Sequence, residues 1–315
     1  MLIRCLMFFA IFFTSLSNSY SQNIPSRYRK TVVFLSYKDD LGNSHNLGTG
    51  FFAAVIDSVY FFQYLITAKH VILDEKSKTL YPNIKVSYNL LNQSRDSFSL
   101  ALSQDYRTQN VFFHNDPSVD IAVIPLPITV LADSSDVNFS FETELFKSKI
   151  DFDTSYINPG TNLFYTGMFS PYIGYNKNYP ITRFGKVALI SDEKIQFEKG
   201  ELKATLLLAE TTTFGGNSGS PVFAYGSDYK INSHDPKDRI NSKEQNNVPI
   251  YMVGIMKGYF QENAPIEFRN TSNMTPTYST NIGIAAIIPS YLLYEILEGT
   301  SMKSLRKWLI ANQKK

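Results

Sequence analysis

The stretch Phe214-Gly-Gly-Asn-Ser-Gly-Ser-Pro-Val222 sets Ser218 between two glycines, after a strand-like run and ahead of a proline and a new strand. Such a segment reads as a tight, exposed turn, because glycine adopts backbone dihedrals that other residues avoid. The backbone N–H groups of Gly216 and Ser218 can then point into one small concavity. Placed there, they would stabilise the oxyanion of a tetrahedral acyl intermediate. A serine hydroxyl is a weak nucleophile alone, so this chemistry also needs a histidine base and an acid that orients it. Of the four histidines, His70 alone directly ends a strongly apolar strand, Leu65-Ile-Thr-Ala-Lys-His-Val71. His45, His114 and His234 sit in polar, turn-like contexts. Asp120 opens the apolar run Val119-Asp-Ile-Ala-Val-Ile124, which predicts enough burial to hold an imidazole. Each residue alone is a weak signal. In the chain order His, Asp, Ser they form a set, and that order is the reverse of the one around the Gly-x-Ser-x-Gly elbow.

Other chemistries find less support. There is no HExxH and the histidines are scattered, so no metal site is expected. The one cysteine, Cys5, excludes an internal disulfide and a Cys-based zinc site. No cofactor is implied. Thirty Lys+Arg against 28 Asp+Glu leave a net charge of +2, which argues against a dedicated nucleic-acid surface. With 315 residues, 43% hydrophobic and 14% aromatic, the chain can bury one large or two medium cores and is too apolar for disorder.

Residues 1–21 read as a signal peptide. Arg4 supplies a basic start, 6–13 (LMFFAIFF) an apolar run, and Ser19 and Ser21 the small residues of a cleavage site. The run is shorter than the ~20 residues that span a bilayer. No membrane span is expected once it is removed, a retained anchor being the alternative. The mature protein would be exported and without a thiol, so hydrophobic burial must stabilise it.

Past residue 30, short apolar or alternating runs broken by turn residues predict an all-β protein. Strands are expected near 31–37, 48–55, 60–67, 84–90, 98–102 and 121–125. After a polar connection they resume near 162–166, 182–190, 202–209, 221–224, 251–257 and 282–288. That is roughly six on each side, the count of two six-stranded antiparallel β-barrels. The expected division is an N-terminal barrel over 22–131 with His70 and Asp120, a connection over 132–160 and a C-terminal barrel over 161–289 with Ser218. Helical spacing over 290–315 (Leu292, Leu293, Ile296, Leu297, then Leu305, Trp308, Leu309) predicts one or two terminal helices. The polar insertions 226–249 and 261–280 read as solvated or substrate-contacting loops.

With these residues in place, the sequence resembles the chymotrypsin-fold serine peptidases, in the disulfide-free bacterial branch that includes the HtrA-like proteins. The matching motifs are Gly48-Thr-Gly-Phe51, Thr67-Ala-Lys-His70, Asp120-Ile-Ala-Val123 and Gly216-Asn-Ser-Gly-Ser-Pro-Val222, followed by Val253-Gly-Ile255, Ile282-Gly-Ile-Ala285 and Ile288-Pro-Ser290. The resemblance implies Ser218 as nucleophile, His70 as general base and then acid, Asp120 as the orienting carboxylate, and the Gly216 and Ser218 amides as oxyanion hole. It also implies a primary pocket built from Thr212, Lys257, Gly258, Tyr259 and Gly283. A neutral Thr212 at the pocket floor and Tyr259 on its wall would favour small or medium apolar side chains over basic ones. Asn217 stands where activated digestive members carry an aspartate, so no zymogen cleavage of that type is expected. Lys257 falls where many members place a serine that touches the acid: a cation there would either stabilise ionised Asp120 or point into solvent.

The implied function is an exported serine endopeptidase, periplasmic or secreted from a bacterium, whose partner is a protein or peptide substrate. The alternative is a double barrel that binds without turnover. The oligomeric state is not legible in the sequence.

Overall fold

A computed structural model describes residues 24–57, 59–74, 77–105, 107–127, 130–141, 145–146, 148–153, 157–225, 250–265 and 277–313. The expected signal peptide, the 226–249 insertion, His234 and much of 261–280 lie outside the described residues.

Short helix α1 (Ser26–Lys30) leads into β1 (Val32–Lys38), β2 (Ser44–Asp57) and β3 (Tyr60–Ala68). A single 3₁₀ turn, Lys69–Ile72, precedes β4 (Asn83–Asn89), β5 (Arg95–Ala101), β6 (Phe112–Phe113) and β7 (Ile121–Leu126). Next come β8 (Ser140–Phe141), α2 (Lys149–Asp153), β9 (Asn162–Gly167), β10 (Ile181–Ile190), β11 (Leu207–Glu210), β12 (Pro221–Tyr225), β13 (Ile250–Pro265) and β14 (Thr277–Pro289). Helices α3 (Ser290–Leu297) and α4 (Thr300–Gln313) close the chain. The protein is mostly β, with a closed six-stranded antiparallel barrel, a second sheet that is antiparallel apart from β8, and C-terminal helices, consistent with a chymotrypsin-like double barrel although the expected first six-stranded barrel is an eight-stranded sheet.

The barrel of the second half runs β10-β11-β14-β13-β12-β9. The first half is an eight-stranded sheet ordered β5-β4-β1-β2-β3-β7-β6, with β8 added in parallel to β2. Its backbone ladder leaves β5 and β6 as ends instead of closing. The loop between those ends is tied off by Asn110, whose side-chain amide donates to the Ala101 carbonyl at 2.7 Å. The two-residue strands β6 and β8 are too short for apolar alternation to register.

Alternation sets the cores. In the first half Val33, Leu35, Phe52, Leu65, Val86, Ala122 and Ile124 face one buried interior. The opposite faces of β2, β3 and β7 (Phe51, Ala53, Ile66, Val123) join Phe164, Phe223, Met252 and Ile287 in a second core that glues the halves together. Tyr28 of α1 inserts there, edge-on to Phe164 and Phe223. Helix α4 reaches back to the first half: the buried Arg306 donates to the Leu297 carbonyl at 2.7 Å and to Tyr64 Oη at 3.4 Å. The β13–β14 pairing continues out to Pro265↔Thr277, past the point where apolar alternation stops, so part of the expected 261–280 loop is hairpin. Conversely, the strand expected over 202–209 starts only at Leu207. The residues before it form an excursion pinned by an isolated Ile195↔Ala204 bridge.

Candidate active site

His70 stands on the 3₁₀ turn that ends β3, and Asp120 immediately precedes β7, which pairs with β3. The pairing Ala68↔Ile121 therefore brings both residues to the same end of the sheet. His70 Nδ1 lies 2.6 Å from Asp120 Oδ2, and the His70 backbone N–H donates to Oδ1 at 2.9 Å. An ionised carboxylate only accepts, so Nδ1 carries the ring proton and Nε2 is left as an acceptor. The Asp120 side chain is 10% exposed, whereas that of His70 is 47% exposed and meets solvent.

Burial pushes the Asp120 carboxyl up. The His70 ring, its hydrogen bond and Lys257 outweigh that and hold the carboxyl well below the usual carboxylate range. Burial pulls the His70 imidazole down, yet Asp120 more than compensates and the net shift is upward.

Ser218 sits in the turn between β11 and β12. Gly216 (φ +94°) and Gly219 (φ +85°) occupy the left-handed region, as the glycine spacing predicts. Among the described residues the N–H groups of Gly216 and Ser218 donate to no protein acceptor, while Asn217, Gly219 and Ser220 N–H are all bonded. Two free donors thus lie on the turn that carries the hydroxyl. The turn is held from the other half of the molecule by Thr49 of β2. Its N–H donates to the Ser218 carbonyl at 2.9 Å, its hydroxyl donates to the Gly216 carbonyl at 2.6 Å, and the same hydroxyl accepts from Met168 N–H. Asn217 turns inward, fully buried, and donates to Thr213 Oγ1.

A Cβ on Gly219 would lie 2.1 Å from the Thr49 carbonyl oxygen and 2.4 Å from Thr67 Oγ1. Gly219→Ala should therefore cost about 3 kcal/mol or more, since backbone strain and a backbone clash combine. Reversible urea unfolding measures it, and a loss under 1 kcal/mol would refute the tight approach.

Ser218 Oγ donates to the Lys257 carbonyl at 3.0 Å and not to His70 Nε2. Lys257 is the residue the sequence left with two alternatives, and the first holds: Nζ lies 3.2 Å from Asp120 Oδ2, with the side chain only 8% exposed. The register of β13 on β14 slips between Met256 and Gly258, so Lys257 is the extra residue of a β-bulge. A bulge re-aims a side chain that strict alternation would send elsewhere.

Glu201, which the sequence reading missed, contacts the same ammonium at 3.2 Å, and the Phe197 ring lies 4.8 Å from it. Both come from the excursion between β10 and β11, a polar segment with no motif to flag it.

Among the expected pocket residues, Thr212 is exposed, and its carbonyl accepts from Tyr165 Oη at 2.7 Å. The neighbouring Thr211 N–H donates to the Gly283 carbonyl at 2.9 Å, which brings Gly283 alongside. Gly258 and Tyr259 follow Lys257 on β13, both half-buried. Among the described residues no cluster of potential metal ligands occurs, and no helix is long and apolar enough to cross a membrane.

No protein-family model matches the chain, and no curated protein does. Solved structures with a similar course include human heparin binding protein, at 11% identity and a TM-score of 0.45, covering 89% of this chain and 95% of that one. A second structure, described as the atomic resolution structure of HBP, gives 11% identity and a TM-score of 0.44 over the same shares. Likenesses this distant say nothing about the chemistry of the site.

Proposed function

We propose that the protein is a serine endopeptidase of the chymotrypsin type, akin to the disulfide-free bacterial branch. It would cleave peptide bonds through an acyl-enzyme. The observation that carries this reading is the His70–Asp120 contact of 2.6 Å on one half of the molecule, joined through Lys257 to a Ser218 turn with two free N–H donors on the other. In the reaction His70 Nε2 takes the Ser218 proton as Oγ attacks the substrate carbonyl carbon. The resulting oxyanion accepts from Gly216 and Ser218 N–H, and His70 then returns the proton to the leaving amine. Water repeats the sequence on the acyl-enzyme. Asp120 stays ionised throughout and stabilises the imidazolium.

Thr212 at the pocket floor, with no carboxylate in its position, supports small or medium apolar side chains before the cleaved bond. A peptide library cleaved best after Arg or Lys would overturn that preference. Action outside the cytoplasm, in the periplasm or medium, follows from the leader-like residues 1–21.

The first test is labelling of the protein by a fluorophosphonate probe beside Ser218→Ala. Labelling of the wild type alone supports the reading. One observation favours the second reading, a silent binding protein: the Ser218 hydroxyl rests on the Lys257 carbonyl. No labelling of the folded wild type would select it. The pH dependence follows from His70. Only neutral imidazole accepts the serine proton, and the group's affinity for protons is raised. The acid limb of acylation should therefore lie above the ordinary histidine value of ~6.5. A limb below pH 6, or a flat profile from pH 5 to 8, contradicts it.

A further inference from the structure

Asp120 Oδ2 is shared. It accepts from His70 Nδ1 at 2.6 Å and from Lys257 Nζ at 3.2 Å, and Lys257 in turn meets Glu201 Oε2 at 3.2 Å. Asp120 and Lys257 are buried, while Glu201 is 41% exposed. The ring of Phe197, itself edge-on to Phe260, covers the ammonium. Two carboxylates and one ammonium leave one negative charge, which a protonated His70 would neutralise.

We propose that Lys257 and Glu201 are a positioning pair that sets the pH range in which the His70–Asp120 dyad works. The proposal rests on the triad reading above. A dyad histidine beside a buried carboxylate tends to hold its proton too tightly to serve as a base near neutrality. Lys257 opposes this, because its cation repels the imidazolium while satisfying the carboxylate. Glu201 restrains Lys257 in turn: it neutralises part of that repulsion and holds the ammonium on the bulge. Burial pulls the ammonium's proton affinity down, and the two carboxylates more than restore it, so Lys257 stays charged.

The other ionic groups nearby are engaged elsewhere. Lys69 Nζ donates to the Pro117 carbonyl at 3.4 Å and sits over the Phe113 ring, and Asp116 pairs with Lys194 at 2.7 Å. The same bulge sends the Lys257 carbonyl to Ser218 Oγ, so one residue touches both ends of the triad.

The test is the NMR titration of the His70 ring in the full chain, with the pH dependence of fluorophosphonate acylation read in parallel. Lys257→Met should raise the His70 midpoint by roughly half a unit or more, and Glu201→Gln should lower it. Lys257→Arg, which keeps the charge, should stay near wild type. An ion pair that only holds the fold, screened from the ring, would leave the His70 midpoint unmoved in both variants and the acylation profile with it. Shifts of the same sign, no shift in folded Lys257→Met, or Arg moving as far as Met would each overturn the proposal. Should Lys257→Met fail to fold, Glu201→Gln carries the test, since it leaves Lys257 on Asp120. If wild type is unlabelled yet the opposite shifts persist, the peptidase reading falls and the electrostatic pair stands.

Discussion

Ser218→Ala is expected to lower peptide turnover by about 10⁵–10⁶-fold, and His70→Ala by nearly as much, with the double variant no worse than either. Nucleophile and base act as one unit, so removing either leaves only binding and the Gly216 and Ser218 N–H donors. The fold should be indifferent. Ser218 is half-buried, its carbonyl bond to Thr49 survives the change, and only the hydroxyl's bond to Lys257 is lost. That bond is worth about 1 kcal/mol. The resting position of the hydroxyl does not alter the expectation, because one rotation about the Cα–Cβ bond changes its partner and catalytic contacts often tighten only with substrate bound. Steady-state kinetics on a cleaved peptide decide the matter. Ser218→Ala keeping a tenth of wild-type kcat would sink the mechanism, as would losses that simply add.

The second large effect separates charge from shape at Asp120. Asp120→Asn keeps the outline of the side chain but presents an amide to His70 and Lys257. The imidazole tautomer is then wrong, and kcat should fall by about 10⁴-fold. Asp120→Ala should add a heavy stability loss of about 3–5 kcal/mol, because a buried ammonium loses its buried partner and keeps only the half-exposed Glu201. Asn should lose less of that, since it still offers an oxygen.

The pH dependence of stability has a definite sign. The folded-state proton affinity of Asp120 is lowered, so its contribution is present above the ordinary carboxylate range near pH 4. It disappears only as pH falls through the depressed value. Urea unfolding of wild type, Asn and Ala variants from pH 7 down to pH 2 tests this, the wild-type advantage over Ala persisting to about pH 4 and shrinking below it. Equal stability of Ala and wild type at neutral pH would show that the Lys257 contact carries no weight.

What could be read from the chain was whatever sits at the end of a periodic segment. His70 and Asp120 were legible because each abuts an apolar strand, and Ser218 because only glycines permit its turn. The strands β1–β4 and β9–β10 announced themselves by alternation within a residue or two at most boundaries. Glu201 and Phe197 were not legible: their excursion resembles the approach to a strand, and tertiary packing alone carries it over Lys257. The aim of Lys257 was left open because a bulge adds one residue to a pleat without changing composition. Thr49 appeared only as part of Gly48-Thr-Gly-Phe51, with no hint that both its N–H and its hydroxyl would cross to the serine turn.

That crossing makes the chemistry conditional on assembly. The base and its acid are held by strands complete at residue 126, whereas the nucleophile lies nearly a hundred residues beyond the acid. Its turn borrows two anchors from a strand made at the start. A ribosome that has released only the first half exposes a histidine with nothing to activate, and an undocked second half carries a serine on an unfastened loop. On the proposed reading the emerging chain is spared, since the cutting edge exists only once both halves have closed on each other.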